Sequence, residues 1–203
     1  MKLTETNRIA DALSLNAPAT MKPEIFTFRV VGMTPLLHNN PTNFIGVDQE
    51  ADLSSGKKKY DDEEEARLRL YRDDEGNFYH PTEGFLKSMV RAVTGKKFGK
   101  LTATTATKGS VFMTEPYSIL VDSKGKPLTK YTIDKRPVVV GKARVLRCRP
   151  KFEDWHVNLS LEIDTSILNE SHVRDALGLA GRIVGIGDYR PQCGGGFGRY
   201  RVA

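Results

Sequence analysis

Residues 155–163 (WHVNLSLEI) alternate without a break: Trp155, Val157, Leu159, Leu161 and Ile163 fall on one side, and His156, Asn158, Ser160 and Glu162 on the other. A period of two belongs to a strand with one buried face, and no helix accommodates it. Such a strand must be paired along its edges and covered on its apolar side, so the rest of the chain has to supply further strands and a covering layer. Two segments with helical spacing supply the cover. Phe85, Leu86, Met89, Val90 and Val93 follow Thr82, a predicted N-cap, and stop at Gly95. Val173, Leu177, Ala180, Ile183 and Val184 follow Asn169, a second predicted cap. Trp155 lies in the inward row and is expected in the core.

Partners for the alternating strand come from both sides of it. Glu24–Val31 (EIFTFRVV) is rich in β-branched and aromatic residues and is stopped by Gly32 and Pro35. Val111–Val121 reads as a strand and Val138–Arg147 (VVVGKARVLR) as another. The connection CRPKFED is short enough to pair Val138–Arg147 with Trp155–Ile163 in antiparallel fashion. A last strand follows a glycine-rich loop. Reduced to its core, the order is strand, helix, strand, strand, helix, strand. That order predicts an α+β, ferredoxin-like (RNA-recognition-motif-type) βαββαβ core, an antiparallel sheet with two helices on one face and the other face open. Residues 23–203 form this domain, with insertions at 33–76 and about 96–135, and 1–22 form a flexible arm. Within the insertions, 38–59 reads as an irregular loop and 96–109 as a basic, small-residue loop. Asp61–Arg72 reads as a solvated surface helix, acids first and arginines last, with Glu63–Arg67 and Glu65–Arg69 spaced to pair.

A chain of 203 residues can bury a core without disulfides or metals. Its two cysteines, Cys148 and Cys193, allow no disulfide framework and no cysteine-based zinc site, which fits a reducing cytoplasm. No apolar run is long enough to span a membrane, and the first residues lack the apolar stretch of a secretory signal. His38, His80, His156 and His172 have no metal-ligand spacing, and no nucleophile–base arrangement stands out. A non-catalytic protein without metal or cofactor is the expectation.

The net charge of +6 conceals a segregation. Lys87, Arg91, Lys96, Lys97, Lys100 and Lys108 form a run with no acid among them, and so do Lys135, Arg136, Lys142, Arg144, Arg147, Arg149 and Lys151. Between Arg182 and Arg201, the arginines 182, 190, 199 and 201 meet a single acid, Asp188. The remainder of the chain is net acidic. Solvation accounts for scattered lysines, but three separate stretches of one sign point to a surface that faces a polyanion.

Seven glycines fall between Gly181 and Gly198, in and just before the third stretch, at positions 181, 185, 187, 194, 195, 196 and 198. A tight helix-to-strand turn explains one or two of them. The rest predict a loop in which the backbone of Gly194, Gly195, Gly196 and Gly198 cradles a phosphate. Arg190 and Arg199 flank it as phosphate partners, and Tyr189, Phe197 and Tyr200 offer faces for stacked bases. No Gly-Lys-Ser/Thr follows and no strand precedes, which excludes a Walker or dinucleotide-binding loop and with it a nucleotide cofactor.

The segment Gly196-Phe197-Gly198-Arg199, at the end of this loop and before the last strand, resembles the glycine-rich loop of the RAMP superfamily of CRISPR proteins. Residues 77–91 (NFYHPTEGFLKSMVR) are similar to the strand–Pro–helix segment in which that superfamily carries Leu-Lys-Gly and then Arg, with Ser88 here in place of the glycine. The chain also resembles a group of uncharacterised bacteriophage and prophage proteins. That likeness rests on PLLHNN at 35–40, RPKFEDW at 149–155 and GIGDYRP at 185–191. The superfamily resemblance implies a backbone subunit that assembles along a single strand.

These readings converge on sequence-tolerant binding of single-stranded DNA or RNA; self-association into an oligomer or filament is what the superfamily resemblance implies. Lys87, Arg91, Lys96, Lys97, Lys100, Arg136, Lys142, Arg144, Arg147, Arg149, Arg190, Arg199 and Arg201 are expected to follow phosphates, and Phe197 and Tyr200 to stack on bases. The resemblance implies one alternative, a metal-independent endoribonuclease using Asp48 in the loop after the first strand. Another is a protein-interaction or inhibitor protein that mimics a CRISPR backbone subunit.

Overall fold

The computed structural model describes residues 20–42, 61–140 and 143–203. Asp48, Lys142, most of the proposed arm and most of the 38–59 loop lie outside the described residues. The first half of the chain runs β1 (Pro23–Gly32), β2 (Leu36–Leu37), α1 (Asp62–Leu68), β3 (Tyr79–Pro81), α2 (Thr82–Ala92), β4 (Lys97–Phe98) and β5 (Leu101–Thr102). It continues with α3 (Ala103–Ser110), β6 (Val111–Met113), β7 (Tyr117–Ile119), β8 (Thr132–Val140), β9 (Ala143–Phe152), β10 (His156–Asp164), α4 (Glu170–Ile183) and β11 (Tyr200–Val202). The protein is α+β, with antiparallel sheets.

The alternating segment becomes β10 and lies inside a four-stranded antiparallel sheet of order β11-β1-β10-β6. β1 pairs with it from Pro23↔Asp164 to Val31↔His156. β6 pairs on its far side, Leu161↔Met113 to Ile163↔Val111. β11 borders β1, Val30↔Val202 to Gly32↔Tyr200. The path from β1 through α2 to β6 therefore skips one strand, and so does the path from β10 through α4 to β11. One face of the sheet is apolar: Phe28, Val30, Val157, Leu159, Leu161 and Ile163 are completely buried, together with Phe85 and Met89 of α2 and Leu177 and Ala180 of α4. Trp155 is buried immediately before β10, and its indole N–H donates to the Thr34 carbonyl at 2.9 Å.

Local chemistry explains the helix ends. Asn169 accepts from the His172 amide at 3.0 Å while His172 Nδ1 accepts from the Asn169 amide, a reciprocal cap. Thr82 does not cap α2. Pro81 occupies that position, and the Thr82 hydroxyl instead meets Ser118 of β7 at 2.8 Å. A side chain at Gly181 would place Cβ 2.1 Å from the Tyr200 carbonyl oxygen, so only glycine lets α4 lie this close to β11.

Three strand expectations are corrected. Val138–Arg147 is not one strand and does not pair with β10. The chain reverses between Val140 and Ala143, and β8 and β9 form a hairpin that β2 extends into a separate three-stranded sheet. Val111–Val121 is split into β6 and β7, with Pro116 between them unable to donate to a ladder. β6, assigned from sequence to an insertion, supplies the fourth strand of the main sheet. Residues 96–109 are not a loop throughout. β4 and β5 pair, and α3 follows, capped by Thr102, with Ala103 and Ala106 buried.

Candidate nucleic-acid interface

α2 buries Phe85, Ser88, Met89 and Ala92, and this leaves Lys87, Arg91 and Thr94 exposed on its outer side. α3 lies along one flank of that surface and the loop after α4 along the other. Between them runs a groove of about 1130 Å³, into which Lys87 and Arg91 of α2, Lys108 of α3 and Arg190 and Asp188 of the loop all open. Lys87 is paired with Glu83 at 2.7 Å, but both side chains are more than half exposed. Such a surface pair is worth roughly 0–1 kcal/mol and yields to a phosphate. Arg190 is held by its own loop, Nη1 donating to the Gly187 carbonyl at 2.9 Å.

The β8–β9 hairpin forms a second cationic element. Its register, Arg136↔Arg147 and Asp134↔Arg149, puts these four residues on one face. Arg136 Nε reaches Asp134 at 2.6 Å, and its guanidinium lies over the rings of Phe197 (4.8 Å) and Tyr189 (5.3 Å). Tyr189 and Phe197 have ring centroids 6.2 Å apart, and Tyr189 is 42 % exposed. Asp188, Tyr189 and Arg190 thus join the two elements: Asp188 and Arg190 line the α2 groove, and Tyr189 packs under the hairpin's Arg136.

Several expected site residues take other roles. Arg149 is buried and its Nε meets Asp188 at 2.6 Å, so it is a structural cation rather than a free phosphate ligand. Arg147 is shared with Glu65 at 3.5 Å, which also receives Arg69 at 2.9 Å and the Cys148 amide at 3.1 Å. α1 is therefore anchored through Glu65 to the edge of β9 rather than merely solvated. Tyr200 has no exposed surface: it packs edge-on against Phe85, and burial raises its hydroxyl above the ordinary range, so it offers no face to a base. Lys96, Lys97 and Lys100 are exposed around the β4–β5 hairpin, away from the groove lining. Arg144 is placed on β9 opposite Val139. Arg199 is half-buried, and Arg201 is exposed on β11.

The glycine loop is also revised. A Cβ at Gly195 would lie 1.7 Å from the Tyr189 carbonyl oxygen, and one at Gly198 1.8 Å from that of Ile186. The amides of Gly194, Gly195 and Gly198 donate to Pro191, Arg190 and Pro35 carbonyls at 2.8–3.0 Å. These glycines let the loop fold on itself and onto the segment before β2, and their donors are already used. Gly196 alone of the four is exposed with nothing near its Cβ position and no positive φ.

The sequence reading missed the groove's inner end. His80 of β3 lines it beside Tyr71, and buried His38 lies behind, with the two imidazoles 5.8 Å apart. Burial first, and then Arg190, push His80 down to about 3; burial and His80 hold His38 well below its ordinary 6.5. Both are neutral at physiological pH. No signal in the sequence links the two: His38 opens the segment read as the 38–59 loop, and His80 stands before Pro81 more than forty residues later. Among the described residues no three His, Cys, Asp or Glu side chains gather as metal ligands, and no helix is long and apolar enough to cross a membrane.

Fold and groove define a class: an α+β protein with a cation-lined groove on the helical side of its main sheet. No family model and no curated protein matches the chain. Among solved structures it is similar to Cmr6 from Pyrococcus furiosus, with 11 % identity, a TM-score of 0.43, 90 % of this chain covered and 100 % of that one.

Proposed function

We propose that this protein binds single-stranded nucleic acid with little sequence preference, as a non-catalytic domain spanning residues 23–203 on a ferredoxin-like frame. The frame is supported by the strand order β11-β1-β10-β6, in which the paths through α2 and α4 each connect strands separated by one neighbour. The observation that carries the function is the α2 groove, where cations from two of the three basic stretches, Lys87, Arg91 and Lys108 of the first and Arg190 of the third, converge on one channel. The open face of the main sheet is a weaker candidate. It carries Arg29 and Arg201, but also Glu162 between the exposed Ile25 and Phe112 in one cross-strand row. The strand runs along α2 and turns at Tyr189 onto the hairpin, where Arg136, Phe197 and Tyr189 give it a stacking surface. The acids of α1 give a neighbouring copy's groove a complementary surface, so copies assemble along one strand.

Fluorescence anisotropy with labelled oligo-dT, oligo-U and a duplex, at two salt concentrations, tests this. The reading expects single strands to bind more tightly than duplex, with affinity falling steeply as salt rises. Absence of binding to all three at low salt overturns it.

A further inference from the structure

Beside the groove lies a second cleft, of about 530 Å³, that holds three tyrosines. β3 and β7 pair with Tyr79↔Ile119 and Pro81↔Tyr117, so Tyr79 and Tyr117 are diagonal neighbours on one face. Their rings lie 4.2 Å apart at 35°, and Tyr71 follows at 5.7 Å from Tyr79. Burial, and then the neighbouring Tyr117, raise the Tyr79 hydroxyl above its ordinary range. Arg67, exposed in the last turn of α1, and Arg72 also line it. Arg72 is oriented by its Nε bond to the Gly76 carbonyl at 3.0 Å. Asp73, an acid beside this group, is engaged by Asn77, whose amide donates to it at 2.7 Å. Packing accounts for Tyr71 and Tyr79, which are half-buried. It does not account for Tyr117, which leaves 51 % of its surface in solvent while stacked on Tyr79.

We propose that this cleft is a base-stacking subsite for an unpaired nucleotide: the base lies on Tyr117 and the flanking phosphates meet Arg67 and Arg72. Tyr71 and Pro81 line both this cleft and the groove, so the subsite continues the path of the same strand past the end of α2. Its volume lies within the roughly 300–1,000 Å³ of ordinary ligand sites. Every base has a π-face, so a tyrosine platform adds affinity without selecting sequence. This inference rests on the single-strand reading above, and it adds a contact that depends on bases where the groove depends on phosphates.

The test compares oligothymidylate with an abasic oligomer of equal length, by anisotropy on the full chain. Wild type should bind oligothymidylate about tenfold more tightly than the abasic strand. Tyr117→Ala should cut that ratio at least threefold and leave the abasic affinity unchanged, and Tyr117→Phe should retain it. A 5-iodouracil oligomer irradiated on the protein should attach to the peptide containing Tyr117. Tight wild-type binding with no preference between the two strands, or a ratio unaltered in Tyr117→Ala, overturns the subsite and leaves the groove standing. Cross-links confined to 189–197 also overturn it. Failure of wild type to bind either strand at low salt removes the groove reading and the subsite together.

Discussion

Asp188 is a junction made by one carboxylate. Its Oδ2 lies 2.6 Å from Arg149 and its Oδ1 accepts from the Tyr189 amide at 2.9 Å, in the turn where Tyr189 takes a left-handed φ of 49°. The Arg149 guanidinium is mostly buried, so removing its counter-charge leaves an uncompensated cation in a poorly solvated place. Asp188→Asn is expected to lower stability by about 2–4 kcal/mol in urea unfolding, the lower end reflecting the partial exposure of Asp188. The glycines nearby separate in the same way. Gly198→Ala combines a φ of 64° with a Cβ placed against the Ile186 carbonyl, and it should cost more than about 3 kcal/mol or prevent folding. Gly196→Ala meets nothing and should stay within about 0.5 kcal/mol of wild type. It should also leave nucleic-acid affinity unaltered, because the neighbouring glycines serve the fold. A large affinity loss in Gly196→Ala would restore the phosphate-cradle reading for that one residue.

At the scale of elements, α2 divides its labour by helical period, with Phe85 and Met89 facing the sheet and Lys87 and Arg91 facing the groove. Each lost phosphate contact on a single strand lowers the slope of log K against log salt by about 0.7, so Lys87→Ala with Arg91→Ala should lower it by about 1.4. An unchanged slope would place the strand elsewhere. The helical period of α2 and α4 and the strict alternation of β10 were legible in the sequence, because each signal is local and each element has one buried face. The β8–β9 hairpin was not. Residues 138–147 (VVVGKARVLR) are β-branched and apolar enough to read as one strand, and the single turn signal between Val140 and Ala143, Gly141, is also tolerated inside a strand. The cations were legible as runs, but their fates were not. Arg149 is buried against Asp188, whereas Arg136 lies over the Tyr189 and Phe197 rings, and Asp188 and those rings come from another part of the chain. The three tyrosines of the second cleft likewise come from separate segments, so no motif announced them.

The whole molecule depends on how its sheets are joined, and two histidines sit at that seam. His38 directly follows β2, which belongs to the hairpin's sheet, and His80 lies in β3, which pairs with β7. Phe152 of β9 stacks on His38 at 4.7 Å, and Phe85 of α2 meets His80 at 5.7 Å, so the pair is enclosed by elements of several layers. Tyr71 borders both rings, and the cation facing His80 is Arg190, which opposes protonation further. Both folded-state values are depressed below 6.5, His80 to about 3. The unfolded chain therefore binds more protons than the folded one as pH falls below 6.5, and stability is lost in that window while it is fully present above it. Two such groups together contribute a slope of about 2–3 kcal/mol per pH unit once both are protonated in the unfolded state. The carboxylates whose values are lowered, Asp62, Asp73, Asp122 and Asp164, start from 3.8 and act in a lower window. Urea unfolding between pH 7 and pH 4.5 thus isolates the histidines. The expected result is a plateau near pH 7 and a steep fall from about pH 6, flattened in a His38→Leu, His80→Phe double variant if that variant folds. Single His80→Gln should remove about half of the slope. A wild-type profile flat to pH 4.5 would mean that the seam opens to admit the proton, and that the two sheets are held together by other contacts.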